Sequence, residues 1–97
     1  MLKLKHNPTL KDFQEYVNKL EIERGFIKDT LLEKCLHLGE EVGELNRAIR
    51  RKFKKSEIGD ELTDIIIILC TIANRLDIDL EKAFRKKEKI NKKRIWN

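Results

Sequence analysis

Ninety-seven residues suggest a single domain over 1–97, long enough for one modest core. The chain is 40% charged and 40% hydrophobic, with one Pro and four Gly, which excludes disorder and is too poor in turn residues for a sandwich or barrel. A net charge of +5 admits an anionic partner (nucleic acid, phosphate or a membrane surface) without choosing among them.

Leu, Ile, Lys, Glu and Arg dominate, and four helices can be read. The first is predicted to start near Asn7-Pro8, a cap residue followed by proline, with Leu10, Phe13, Val17 and Leu20 at helical spacing and Gly25 as its stop. The second opens at Thr30, with Glu33 completing a capping box. Leu31, Cys35, Leu38, Val42, Leu45 and Ile49 give it an amphipathic stripe, and it ends in the basic stretch RRKFKK, 50–55. Lys52, Lys54 and Lys55 there suggest a mobile loop that closes over a ligand. The third is predicted from Ser56 as cap. Ile58, Leu62, Ile65, Leu69, Ile72 and Leu76 line one face, and Ile66, Ile67, Ile68 and Cys70 extend the apolar surface nearly all round. A helix apolar on every side must be covered on every side, and in so short a chain that requires a partner subunit. The fourth starts at Asp79 as cap and is strongly basic. The fold class is therefore all-α: a compact four-helix unit with an antiparallel pair of acidic helices, completed into a bundle by oligomerisation.

Cys35 and Cys70 form no CxxC and no metal-ligand spacing, so buried, reduced packing thiols are expected. MLKLKHNP has no apolar h-region, and the run IIIILC is far short of the ~20 residues that span a bilayer. No membrane partner is expected, and the cytoplasm follows by default.

Chemistry concentrates in the acids. At ~100° per residue from Leu31, Glu40, Glu41 and Glu44 fall at roughly 180 to 280°, with His37 and Glu33 among them. Gly39 and Gly43 lie on a third strip, suited to close approach of another helix or of a ligand, or to ordinary tight packing. On the next helix Glu61 and Asp64 share a face one turn apart, and Asp64 abuts the isoleucine run. Carboxylates at the edge of a core need water, Lys or Arg partners, or a hard divalent cation. One acidic pair is ordinarily a solvated face; two pairs at i, i+3 on consecutive helices can converge as bundle metal sites do. His37 and Lys34 lie near the acids, and surface roles are expected for both.

Glu40-Glu41-x-x-Glu44 followed by Glu61-x-x-Asp64 resembles the EExxE…ExxD signature of the MazG-like all-α nucleoside triphosphate pyrophosphatases. LEKCLHLGEEVGELNRAI and GDELTDIIIILCTIANRLDIDLEKAF resemble that family's two acidic helices, and Lys87-x-x-x-Asn91-x-x-Arg94 resembles its trailing motif. The match spans roughly residues 30 to 95. It implies a Mg²⁺-dependent enzyme, with Mn²⁺ as substitute, that splits a nucleoside triphosphate between the α and β phosphates. By resemblance Glu41, Glu44, Glu61 and Asp64 are the metal ligands, and Glu40 assists the cluster or positions the attacking water. Lys87, Asn91 and Arg94 bind phosphate or sugar, and the active form is a homodimer or homotetramer with sites built from more than one subunit. Ile65 to Ile68 follow Asp64 where phosphoribosyl-ATP pyrophosphatases carry an aromatic-histidine pair. The tryptophans of dCTP-type relatives are missing near the site, the only Trp being Trp96, so the preferred base stays open.

A different class remains: a non-catalytic, basic helical module that binds nucleic acid or regulates. The net charge and basic tail favour it. The acid stripe opposes it, because carboxylates repel a phosphate backbone. A purely structural helical dimer leaves Asp64 beside the isoleucine run unexplained.

Overall fold

The structure, a computed structural model, describes residues 2–95. Trp96 lies outside them. Four helices follow in order: α1 (Leu10–Arg24), α2 (Leu31–Arg50), α3 (Lys55–Arg75) and α4 (Leu80–Lys92), with a 3₁₀ turn at Phe26–Lys28. No strand occurs among the described residues. None of these helices is long and apolar enough to cross a membrane.

Local chemistry sets the helix starts. At α1 a capping box overrides the Asn-Pro signal: Thr9 Oγ1 accepts the Asp12 N–H at 3.1 Å and Asp12 Oδ2 accepts the Thr9 N–H at 3.0 Å. That backbone bond, then Lys5, holds the Asp12 carboxyl below its ordinary value. Asn7 instead turns through a left-handed conformation, φ 57°. Gly25, φ 77°, ends α1 as expected, because only glycine adopts that conformation without strain. Thr30 and Glu33 form the expected box at α2. The third helix is capped at Lys54 rather than Ser56, with Glu57 accepting the Lys54 N–H at 3.4 Å; Ser56 falls inside the first turn. Asp79 caps α4 as expected and accepts the Lys82 N–H at 3.1 Å.

Two short turns fix the topology. Residues 51–54 join α2 to α3, with Lys52 at φ 54° and the Phe53 N–H bonded to the Ala48 carbonyl at 2.9 Å. This is a helix stop followed at once by a helix start, so α2 and α3 are antiparallel neighbours. The loop expected of Lys52, Lys54 and Lys55 is thus a tight turn with no slack to close over a ligand, and Lys55 is already helical. At the other end Asp77, φ 55°, ends α3. The buried Gln14 side chain then clamps the turn, donating to the Ile78 carbonyl and accepting the Leu80 N–H at 3.0 Å. This clamp lays α4 against α1.

The core is small and partly ionic. Val17, Ala48, Ile68, Cys70 and Ala73 are buried, and so are Gln14, Glu21, Lys34 and Thr71. Burial raises the Cys70 thiol pKa, which suits an inert packing thiol, whereas Cys35 is exposed, contrary to expectation. Glu21 of α1 joins three helices. Its Oε1 accepts from Thr71 Oγ1 at 2.7 Å and meets Lys34 Nζ at 3.2 Å; its Oε2 meets Arg75 Nη2 at 3.3 Å. Lys34 also pairs with Asp29 at 3.4 Å and stands 5.3 Å from the centre of the Phe26 ring. Lys34 is therefore a buried structural cation, not a surface group. Removing the anion from such a cluster strands its cations, at a cost of about 3–5 kcal/mol. Lys34 retains Asp29, and Arg75 retains the Asp29 and Phe26 carbonyls. Glu21→Gln should therefore lose about 3 kcal/mol, the lower end of that range, read from urea midpoints. A loss below about 1 kcal/mol would mean the network is worth no more than a surface pair.

Much apolar surface is left over. The chain exposes 8131 Å², against about 5,800 Å² for a compact monomer of 11.6 kDa. Its radius of gyration is 15.4 Å, against about 12.5 Å for a compact chain of this length. The excess includes Leu32, Leu36, Val42 and Ile49 of α2 and Leu62, Ile66 and Leu69 of α3. The all-round apolar character of α3 is thus not satisfied within one chain.

Candidate active site

Helix α2 turns to the protein interior a stripe rotated from the one its apolar periodicity predicts, sharing only Leu38 and Leu45 with it. The residues turned inward are Lys34, Leu38, Glu41, Leu45 and Ala48, a 4-3-4-3 stripe of its own. Cys35, Val42 and Ile49, expected on the inner stripe, face out. The apolar arc of α2 is wider than one neighbour can cover, and α3 covers the edge that carries an acid.

That arrangement brings three carboxylates together across the α2–α3 seam. Glu41, Glu61 and Asp64 each offer one oxygen, and these oxygens lie within 4.8 Å of one another. Glu41 and Glu61 are half-buried and Asp64 is exposed. Glu41 Oε2 and Glu61 Oε2 are buried, and neither has a hydrogen-bond partner among the described residues. Buried polar atoms of native proteins are nearly always partnered, so two orphaned oxygens at one point mark a place for a cation or a proton. Glu61 bears the strain. Its pKa is raised, first by the close approach of the Glu41 side chain, then by burial and by the charges of Glu41 and Asp64; the Glu44 side chain works the other way. An oxygen-only set of this kind, partly shielded from water, fits a hard divalent cation.

The remaining predicted residues are distributed around this cluster. Glu44 is exposed and reaches the Glu61 side chain. Glu40 is exposed and lies outside the trio. His37, one turn before Glu41, places Nε2 3.1 Å from Glu41 Oε1. His37 is exposed, as its surface position leads one to expect, and its i, i+4 spacing to Glu41 is the signal for this contact. Lys87 is elsewhere in this chain. With Ile66, Leu69, Cys70 and Phe84 it lines an apolar cleft of about 470 Å³ between α3 and α4. Ile66 stands about 200° round α3 from Asp64, so the cleft and the carboxylates occupy opposite sides of that helix. Asn91 is half-buried in the last turn of α4. Arg94 lies beyond the C-cap Lys93, its N–H on the Asn91 carbonyl at 3.1 Å, so the stripe expected of Lys87, Asn91 and Arg94 outruns the helix.

Residues 29–95 match the model of the MazG nucleotide pyrophosphohydrolase domain. The chain belongs to the MazG family. The MazG match contains both acidic helices and the basic α4. Among relatives, the uncharacterized protein YpjD of Bacillus subtilis (strain 168) is 33% identical over 86 residues, covering 77% of this chain and 76% of that protein. Among solved structures, the Bacillus-conserved MazG protein, a nucleotide pyrophosphohydrolase, superposes with a TM-score of 0.78 at 29% identity, over 96% of this chain and 97% of that one. Family and fold agree on a hydrolase of nucleotide pyrophosphate bonds, carried on an all-α scaffold.

Proposed function

We propose that residues 1–97 form one domain, a Mg²⁺-dependent nucleoside triphosphate pyrophosphohydrolase acting in the cytoplasm. It releases a (d)NMP and pyrophosphate, with Mn²⁺ as a substitute metal, in a role such as clearing the nucleotide pool. One observation carries the metal dependence: the buried, partnerless oxygens of Glu41 and Glu61 beside the Asp64 carboxylate. In this reading Glu41, Glu61 and Asp64 hold the cation, and Glu44 closes the set from its position beside Glu61. Glu40, solvent-facing and next to Glu41, assists the cluster or positions the attacking water. When bound, the cation neutralises phosphate oxygens and lowers the pKa of its water. Lys87, Asn91 and Arg94 balance the charge of the leaving pyrophosphate or hold the sugar.

The position of Lys87 supports a shared site. Within one chain it lines the far side of α3, so the substrate of one copy is met by α4 of another. The surplus surface, about 2,300 Å² per copy, is of the size that an obligate dimer or tetramer buries.

The test is incubation with each standard (d)NTP and Mg²⁺, reading monophosphate and pyrophosphate, with Glu41→Gln and Asp64→Asn as controls. Turnover of at least one nucleotide is expected, falling by at least about 10²-fold in either variant, since even an outer partner of a ligand is worth 10–100-fold. No turnover, or turnover undiminished in both variants, refutes the enzyme reading. Salt-dependent binding of DNA or RNA without turnover would favour the basic-module alternative.

A further inference from the structure

We propose that His37 is a positioning residue of the metal centre, holding the Glu41 carboxylate so that Oε2 is turned toward the cation. The role rests on the metal-dependent reading above and adds a residue that the acidic motif does not contain. His37 and Glu41 stand at i, i+4 on α2, on one face, with Nε2 3.1 Å from Oε1. The two oxygens of Glu41 are therefore not equivalent. Oε1 is engaged by the imidazole, while Oε2 is buried and without a hydrogen-bond partner.

Position and chemistry both favour this division of labour. Glu41 approaches Glu61 and Asp64, two further carboxylates. Like charge would swing its side chain, which turns about several bonds, away from them whenever the cation leaves. A donor on Oε1 opposes that swing and leaves the inward oxygen free. A carboxylate has no hydrogen to give, so in this contact Nε2–H is the donor and Glu41 Oε1 the acceptor. Outer partners of this kind orient ligands and raise their basicity. Half of the His37 side chain is exposed, so little packing depends on it.

The experiment measures Mn²⁺ affinity by electron paramagnetic resonance on the metal-free full chain, without nucleotide, for wild type, His37→Ala and His37→Gln. His37→Ala should weaken Mn²⁺ binding by about 10–100-fold. His37→Gln, which presents an amide N–H at similar reach, should recover most of the loss. At saturating Mn²⁺ the kcat of His37→Ala should approach that of wild type, so that the defect lies in loading the site. Wild-type affinity in His37→Ala overturns the proposal, and so does equal weakness of the two variants, because the loss would then not follow the donor. Absence of Mn²⁺ binding by the wild-type chain overturns the metal-centre reading and this role together. Binding by wild type with no change in His37→Ala overturns this role alone.

Discussion

Glu61→Gln is expected to abolish nucleotide turnover and, in the same protein, to raise the melting temperature of the metal-free chain at neutral pH. The two effects share one cause. Glu61 faces Glu41 and Asp64 across the α2–α3 seam, and its pKa lies above the ordinary glutamate value of 4.5 because of Glu41 first, then burial, then the neighbouring charges. A carboxyl whose folded pKa is raised contributes stability that is complete below its unfolded pKa. That contribution is lost as pH climbs through the folded value. Wild-type protein in EDTA should therefore lose this share of its stability from about pH 4.5 upward. Glutamine cannot ionise and escapes the loss. The melting-temperature difference, variant minus wild type, should grow from pH 4.5 and level off once Glu61 is fully ionised.

Divalent metal reverses the sign. A ligand that binds only the folded state at a hundred times its Kd adds about 2.7 kcal/mol. Mg²⁺ or Mn²⁺ should therefore stabilise wild type strongly and Glu61→Gln weakly, while turnover falls by at least about 10²-fold in the variant. Thermal melts with EDTA and with Mn²⁺, at several pH values, check both halves. A variant that melts below wild type at every pH without metal would mean that Glu61 is held by a partner rather than strained by its neighbours.

Features that depend on a few adjacent residues were legible in the sequence. The Thr30–Glu33 box, the Asp79 cap and the Gly25 stop are local hydrogen-bond or dihedral problems with one good solution each. The approach of Glu41 to Glu61 and Asp64 is legible because a three-residue spacing on consecutive helices carries over into space, although Glu44 stays outside that trio. The inward face of α2 was not. Periodicity favours Leu31, Cys35, Leu38, Val42, Leu45 and Ile49, but Lys34 can be buried only because Glu21, thirteen residues earlier, supplies its counter-charge. Glu41 likewise turns inward toward Glu61, twenty residues later. A polar residue becomes a core residue when a distant segment partners it, and hydrophobic spacing has no access to that partner. The setting of α4 was hidden for the same reason. Gln14 of α1, sixty-four residues before Ile78, clamps the turn that aims it.

If the site is shared between copies as proposed, the double variant Leu32→Glu/Leu36→Glu is expected to give a monomer that remains helical and is inactive. In the single chain Leu32 and Leu36 are 69% and 63% exposed, so charge there has little to disrupt inside the protomer. Gly39 and Gly43 continue the same strip of α2, and a Cβ built on either meets nothing within 4 Å. Alanine would be better by about 1 kcal/mol in such a helix if the chain stood alone. The glycines therefore make sense as the floor of a contact with another copy, where a smooth strip lets two helix backbones approach. In a two-fold interface each substitution counts twice. Burying one leucine is worth about 1.5–3 kcal/mol, so four lost leucines weaken association by about 6–12 kcal/mol, beyond what micromolar protein concentration can offset. Sedimentation equilibrium of wild type and variant, with circular dichroism to confirm helix content, decides the matter. A wild-type chain that sediments as a monomer while turning over nucleotide would show the site to be complete within one copy. Lys87 would then have to reach the triphosphate around α3. A variant that stays oligomeric would move the interface from the α2 strip to the uncovered α3 residues Leu62, Ile66 and Leu69, which are exposed by about half.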